Sequence, residues 1–307
     1  MRVIIGVDGS AGSLAAVRFA TRFLEHGVDP IFLYYAPPST LRKDITSLEP
    51  ETLERVEASM VAAVFERAKE QLPLPLRENV VTVVGKQKPK HGLTVAAEEH
   101  RADLIVVGSH GVRPLEWLRL GSVSRGVASE AEIPVLVVRN HDGKDAIDDR
   151  PFRVLVTCDR TELADSPKAF IQHFSWPTGT QGEVLTVFES YMGEVPEWLQ
   201  ETLARESGLP AGHHFEPFAE EKTKATEKLQ QWCRDLPETF RAIPPKMVEG
   251  HAARTILDQL NEHHYDLVVV GARRQGKLER LLLGSTSYAV LNQAPCSVLV
   301  IRQHERP

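Results

Sequence analysis

The chain of 307 residues predicts an α/β fold: two doubly wound, mostly parallel five-stranded-sheet domains in tandem. Three observations predict it. Short apolar runs alternate with helical periods, the runs themselves lack polar alternation, and a set of sequence blocks recurs in one order. In the first half the runs fall at 3–8, 30–36, 79–84, 103–108 and 134–139. They are nearly continuous Val, Ile and Leu, as expected of parallel strands covered on both faces. Between the first two, Ala16, Phe19, Ala20 and Phe23 form an i, i+3, i+4, i+7 stripe closed by Gly27, the mark of an amphipathic helix and its stop. Strands separated by helical segments throughout make a doubly wound domain.

The repeat supplies the second domain. Val3-Ile-Ile-Gly-Val-Asp8 returns 151 residues later as Val154-Leu-Val-Thr-Cys-Asp159. Asp103-Leu-Ile-Val-Val-Gly108 returns 163 later as Asp266-Leu-Val-Val-Val-Gly271, and Gly121-Ser122 returns at the same offset as Gly284-Ser285. Both halves end on Pro and an apolar run, Pro134–Arg139 and Pro295–Arg302. Duplication is the simplest account. The charged stretch 141–150 reads as a linker between domains 1–140 and 151–307. Segments 37–75 and 189–245 exceed what a strand connection needs. Their helical patterns (Leu53, Val56, Met60, Val64 in the first) suggest covering helices, with breaks at Pro37-Pro38 and Pro244-Pro245.

Composition narrows the function. A hydrophobic share of 42% and a charged share of 25% are those of an ordinary globular protein, and a net charge of -6 gives nucleic acid or an anionic membrane little to attract them. No apolar run approaches the ~18 residues of a spanning helix. The chain opens on a strand-like run without a leader, and Cys158, Cys233 and Cys296 are odd in number and widely spaced. They read as incidental thiols, and a cytoplasmic location is expected.

The chemistry concentrates after the fourth run. Gly108-Ser-His-Gly111, nine residues, then Gly121-Ser122 at the start of another apolar period can turn many backbone N–H groups toward one anion. Glycine allows close approach, and a helix start adds uncapped donors and a positive dipole end. A phosphate-bearing ligand is the leading idea.

The order strand–Asp–Gly–Ser, then Gly-Ser-His-Gly, nine residues, Gly-Ser-Val-Ser and Pro-Val-Leu-Val-Val resembles the universal stress protein family, and the repetition its tandem members. The resemblance implies that the first and fourth strands are neighbours, with the site at their carboxyl ends. It implies that Gly6, Val7 and Asp8 face a nucleoside and that Tyr35 borders the adenine. Gly108, Ser109, His110, Gly111 and Arg113, with Gly121, Ser122, Val123 and Ser124, would hold phosphates; Arg119 could add charge. ATP is the expected ligand, with ADP or AMP as alternatives, and an ion such as Mg would come with the phosphates rather than on protein ligands. The last strands would pair the halves as an internal pseudo-dimer, and two chains could associate further. The expected role is stress sensing or signalling through nucleotide-dependent ordering of the 109–120 loop. A nucleotide-free interaction protein of the same fold, or an ATP-using enzyme with slow hydrolysis, are the alternatives.

The second half departs from the pattern. Arg274 stands where the second glycine should, in Gly271-Ala-Arg-Arg-Gln-Gly276, and Asp-Gly-Ser has become Asp159-Arg-Thr. Asp159, Gly271, Arg274, Gly284 and Ser285 therefore outline a degenerate second site, in which Arg273 and Arg274 could still attract an anion. Gly271–Lys277 fits G-x-x-x-x-G-K, but Leu278 removes the magnesium-binding hydroxyl. Other residues have plainer readings. Asp8 could simply cap the following helix. His110 has no Ser, Cys or acid placed by the sequence to orient it as a base. The pairs His213-His214 and His263-His264 point apart on a helix and lack zinc spacing. Arg139 and Arg302 read as solvated strand ends.

Overall fold

The computed structural model describes residues 1–25, 28–38, 49–111, 120–139, 150–158, 165–189, 216–272 and 283–302, with isolated positions at 202 and 206. The first half runs β1 (Val3–Gly6), α1 (Ala11–Ala20, extended by a 3-10 turn Thr21–Phe23), β2 (Ile31–Tyr35), α2 (Pro50–Lys69), a single turn Leu74–Arg77, and β3 (Val80–Val84). It continues through α3 (Pro89–Glu99), β4 (Leu104–Gly108), α4 (Ser122–Glu130) and β5 (Val135–Val138). The second half runs β6 (Arg153–Cys158), α5 (Asp165–His173), β7 (Gln181–Phe188), α6 (Glu216–Arg234) and β8 (Lys246–Glu249). It closes with α7 (Ala252–Glu262), β9 (Leu267–Ala272), α8 (Ser285–Gln293) and β10 (Ser297–Arg302). All five expected strands of the first half form, each slightly trimmed.

The ten strands make one sheet in the order β3-β2-β1-β4-β5-β10-β9-β6-β7-β8. Every pair is parallel except the junction, where β10 meets β5 antiparallel with Leu299 opposite Leu136. The last strands thus pair the two halves within the chain, and β1 lies beside β4, Ile5 opposite Val106. Continuous apolar strands are buried from both sides because helices cover both faces. One core cluster joins α1 (Leu14, Val17), α2 (Phe65, Ala68) and α6 (Leu229, Trp232); the other joins α3 (Leu93, Ala96), α4 (Val127), α7 (Ile256) and α8 (Val290). Both clusters cross the junction. On the first face Phe23 meets Phe174 at 4.7 Å and Phe152 at 5.7 Å, so the helical stripe read from the sequence ends in an aromatic contact between halves.

The covering-helix reading of 37–75 holds for α2, although its buried contacts are Phe65 and Ala68, while Val56 is exposed. Residues 39–48, most of the 141–150 linker and Gly27 lie outside the described residues. Among the described residues no helix is long and apolar enough to cross a membrane. The three cysteines are free. Burial pushes the thiols of Cys158 and Cys296 up to about 12 and that of Cys233 to about 11, which keeps them protonated at neutral pH.

Candidate functional site

In the first half the chain leaves β1 on one side of the sheet toward β2 and returns on the other toward β4. Helices therefore diverge at the carboxyl ends of these strands and leave a crevice, the usual ligand position of an open α/β sheet. A cavity of about 320 Å³ opens there. Its walls are Gly6, Val7 and Asp8 after β1, Tyr34, Tyr35 and Ala36 at the end of β2, and Val107, Gly108, His110 and Gly111 after β4; Gly121–Ser124 opens α4, and Ser13, Pro89 and Leu93 complete the lining. The size suits a small-molecule ligand.

Missing side chains make the room. A Cβ on Gly108 would lie 2.5 Å from the Gly12 carbonyl oxygen, and one on Gly12 would lie 2.3 Å from that of His110. The first turn of α1 is thus pressed directly onto the loop after β4. Gly9 turns the chain into α1 at φ +77°, a conformation that glycine adopts without strain. A Cβ on Gly111 would stand 2.6 Å from Asp8 Oδ2. The loop is tied to α4 by the Gly121 N–H, which donates to the Ser109 carbonyl at 2.7 Å, and by Ser124 Oγ, which donates to the same oxygen at 3.1 Å. Gly121 caps α4 and has no side chain to bond the amides of the first turn, which begins at the cavity wall.

The cap of α1 is Ser10, whose hydroxyl accepts from the Ser13 N–H at 3.2 Å. Asp8 is therefore not the cap. Its Oδ1 accepts from the Ser10 N–H at 3.0 Å and braces the capping residue, while Oδ2 is directed at Gly111. Tyr35 packs edge-on against Phe65 at 6.3 Å, and burial first, then the Asp8 charge, raises its hydroxyl pKa. Ser109 Oγ lies 3.1 Å from His110 Nδ1, so a hydroxyl does hold that ring, contrary to the sequence reading. Ser109 itself is buried and does not line the cavity, which leaves it a supporting rather than a ligand-facing group.

The structure brings together eleven of the thirteen residues expected in the first site. Ser109 stands behind the wall, and Arg113, like Arg119, lies outside the described residues. Sequence reasoning missed Gly12 behind the wall and, in it, Ser13 and Tyr34, along with Ala36, Pro89, Leu93 and Val107. The first two were signalled by the small-residue run after Asp8. Tyr34 Oη is buried with no hydrogen-bond partner among the described residues, in a niche where a Cβ on Gly85 or Gly92 would come within 1.9 and 2.1 Å. Sequence carries no sign of that niche, because it needs β3 and α3 packed beside β2.

The second half shows the reverse economy. Thr157, at the position of Gly6, donates its hydroxyl to the Val269 carbonyl at 3.0 Å, and Cys158, at the position of Val7, meets Thr186 Oγ1 at 2.8 Å. Ser287 Oγ donates to the Gly271 carbonyl at 2.5 Å, a tie like that of Ser124. Gly284 begins α8 as Gly121 begins α4, with Ser285 next. Asp159, Arg273, Arg274 and the Gly276-Lys277 turn lie outside the described residues, as does the pair His213-His214. Arg302 is 6% exposed and Arg139 half-buried; both donate to helix carbonyls of the opposite half, so neither is a solvated strand end.

The sequence profile of the universal stress protein family matches residues 1–139 and 199–302. The chain belongs to the universal stress protein family. Its tandem form is shared by relatives along their whole length. A universal stress protein of Mycolicibacterium smegmatis is 26% identical over 98% of this chain and 96% of its own, and one of Mycobacterium tuberculosis is 26% identical over 98% and 97%. Among solved structures, a universal stress protein from Archaeoglobus fulgidus superposes with a TM-score of 0.59 at 18% identity, covering 99% of this chain and 98% of that one. A further one from Pseudomonas aeruginosa gives 0.59 at 16% identity, over 98% and 92%. At these identities the structural matches establish the fold alone. The profile leaves residues 140–198 unmatched, the stretch that holds β6 and β7 and the side-chain replacements of the second half.

Proposed function

We propose that the first half of this tandem universal stress protein binds an adenine nucleotide, with ATP the foremost ligand, and that occupancy of the cavity is the signal a partner reads. One observation carries the reading. At the strand-order reversal, Gly108, Gly111 and Gly121 contribute backbone to the lining of a cavity that Asp8 and Tyr35 also line. Amides and a helix start suit a phosphate tail; a carboxylate suits ribose hydroxyls or an exocyclic amine, and a buried aromatic wall suits a base. The same division assigns residues 1–140 to a binding domain and 151–307 to a partner domain with a degenerate site. Magnesium would arrive with the phosphates. Turnover forms no part of the proposal. A bound nucleotide changes the protein's state only through its preference for one arrangement over another, and the proposal puts the sensing step in the loop that follows Gly108.

The test is direct. Protein purified without added nucleotide is denatured and the released small molecules are identified, and calorimetry measures ATP, ADP, AMP and tripolyphosphate on the full chain. Adenine nucleotide binding with one site per chain is expected. No heat and no protection at millimolar ATP would remove the nucleotide reading and leave the fold as an interaction module.

A further inference from the structure

Arg139 and Arg302 end β5 and β10 at equivalent places, and each reaches across the junction. Arg302 Nη2 donates to the carbonyls of Ala128 at 2.8 Å and Ser129 at 2.6 Å, in the last turn of α4. Helix geometry leaves those oxygens without amides of their own helix; the Ala131 N–H takes the Val127 carbonyl, one residue earlier. Arg139 repeats the arrangement in reverse. Its Nη2 donates to the Leu291 carbonyl at 2.7 Å, in the last turn of α8, where the Ala294 N–H takes the Val290 carbonyl. Residues 128 and 291 are separated by the same 163 positions as residues 139 and 302, so the duplication preserved the contact as a reciprocal pair.

The two helices differ in what stands at their other end. The start of α4, Gly121–Ser124, is a wall of the cavity, whereas α8 starts at Gly284-Ser285 beside the degenerate motif. Neither helix has an acidic residue in its first turn or a basic one in its last. A helix of nine residues, about 13 Å long, is marginal by itself and depends on its contacts for position. Two cations are described at the C-terminal end of α4: Lys90 of α3 pairs with Glu130 at 2.6 Å, and Arg302, supplied by the other half, reaches the helix carbonyls themselves. Arg302 complements the dipole there and satisfies two carbonyls left over at the helix end.

We propose that Arg302 is a positioning residue for the first-half cavity: by holding the last turn of α4 it fixes the first turn that faces the ligand. The second half, poor in ligand-binding features, thereby serves as the brace of the half that binds. This rests on the nucleotide reading of the cavity. Arg139 braces α8 with the same chemistry, away from the first-half cavity.

The pair supplies its own control. In the full chain, Arg302→Gln and Arg139→Gln each remove one brace, and each is compared with wild type by ATP calorimetry and by amide hydrogen exchange without ligand. Arg302→Gln is expected to weaken ATP binding about threefold to tenfold and to raise exchange in residues 122–130 only. Arg139→Gln is expected to raise exchange in 285–293 while ATP affinity stays within about twofold of wild type. Equal loss of affinity in both variants would show a general junction effect and overturn the proposal, as would wild-type affinity in Arg302→Gln. Should that variant not fold, Arg302→Lys keeps the cation but not the planar fork; intermediate affinity supports the brace and unchanged affinity sinks it. Wild-type protein that binds no ATP overturns the nucleotide reading itself, whereas a wild type that binds alongside an indifferent Arg302→Gln overturns the brace alone.

Discussion

At the carboxyl end of the first strand of each half, the first half has Gly6 and Val7, and the second half has at the same places polar side chains that bond inward. Gly6 becomes Thr157, whose hydroxyl is used by the Val269 carbonyl; Val7 becomes Cys158, which meets Thr186. The cores beneath are alike, with β1 and β6 each held between a second strand and the fourth. Folding needs only apolar strands and two covered faces, so it tolerates either set of residues. On the proposed reading, ligand binding depends on absent atoms that folding does not need. Duplication therefore preserves a fold far more easily than a cradle.

Copying the second half's defect into the first makes the largest break in that contrast. Gly111→Arg puts a Cβ 2.6 Å from Asp8 Oδ2, where carboxylate and loop must separate, and adds a long side chain at the cavity mouth. ATP affinity should fall about a hundredfold or more, with circular dichroism and urea midpoint near wild type, because Gly111 is exposed and outside both cores. Undiminished binding would remove the loop after β4 from the site. Asp8→Ala is a smaller perturbation. It should weaken ATP about tenfold, as loss of a charged hydrogen-bonding group does, while tripolyphosphate binds as before. Equal weakening of both ligands would show that Asp8 acts only by bracing Ser10 and the start of α1.

The strands and the repeat were legible because burial on both faces writes itself as unbroken Val and Ile. The glycines of the site were legible as a spacing. Tyr34 was not, since its niche exists only once β3 and α3 flank β2, and the burial of Arg139 and Arg302 was not, since a terminal arginine looks the same whether it meets water or a helix from the other half. The alternative reading of Asp8 as the cap of α1 fails for a related reason: Asp8 and Ser10 are both good caps, and only backbone geometry chooses between them. Residues whose role is set by a distant element leave no local pattern.

The amino ends of the same strands offer a second contrast, and the mildest test. Arg2 and Arg153 are equivalent, as are Phe32 and Glu183. In the first half Arg2 lies over the Phe32 ring at 5.4 Å; in the second, Arg153 pairs with buried Glu183 at 2.9 Å and Lys246 joins at 3.1 Å. Burial alone would raise the Glu183 pKa, but hydrogen bonds from Lys246, Arg153 and Tyr265 outweigh it and hold the carboxyl below its ordinary value. A depressed pKa in the folded state stabilises the protein fully above the unfolded value near ~4.3, and that contribution is lost as pH falls through the folded value. The Arg2–Phe32 contact has no such term. Glu183→Gln should therefore cost about 1 kcal/mol at pH 7, a modest figure because the Arg153 and Lys246 side chains are 30% and 47% exposed and water screens them. The deficit should shrink toward pH 3, whereas Phe32→Leu, whose ring lies under Arg2 and stacks on His100 at 4.7 Å, should keep a penalty at both pH values. Urea midpoints at the two pH values measure both. A Glu183→Gln deficit that stays constant with pH would show that the carboxylate's charge contributes nothing there and that the two amino ends are held by packing alike.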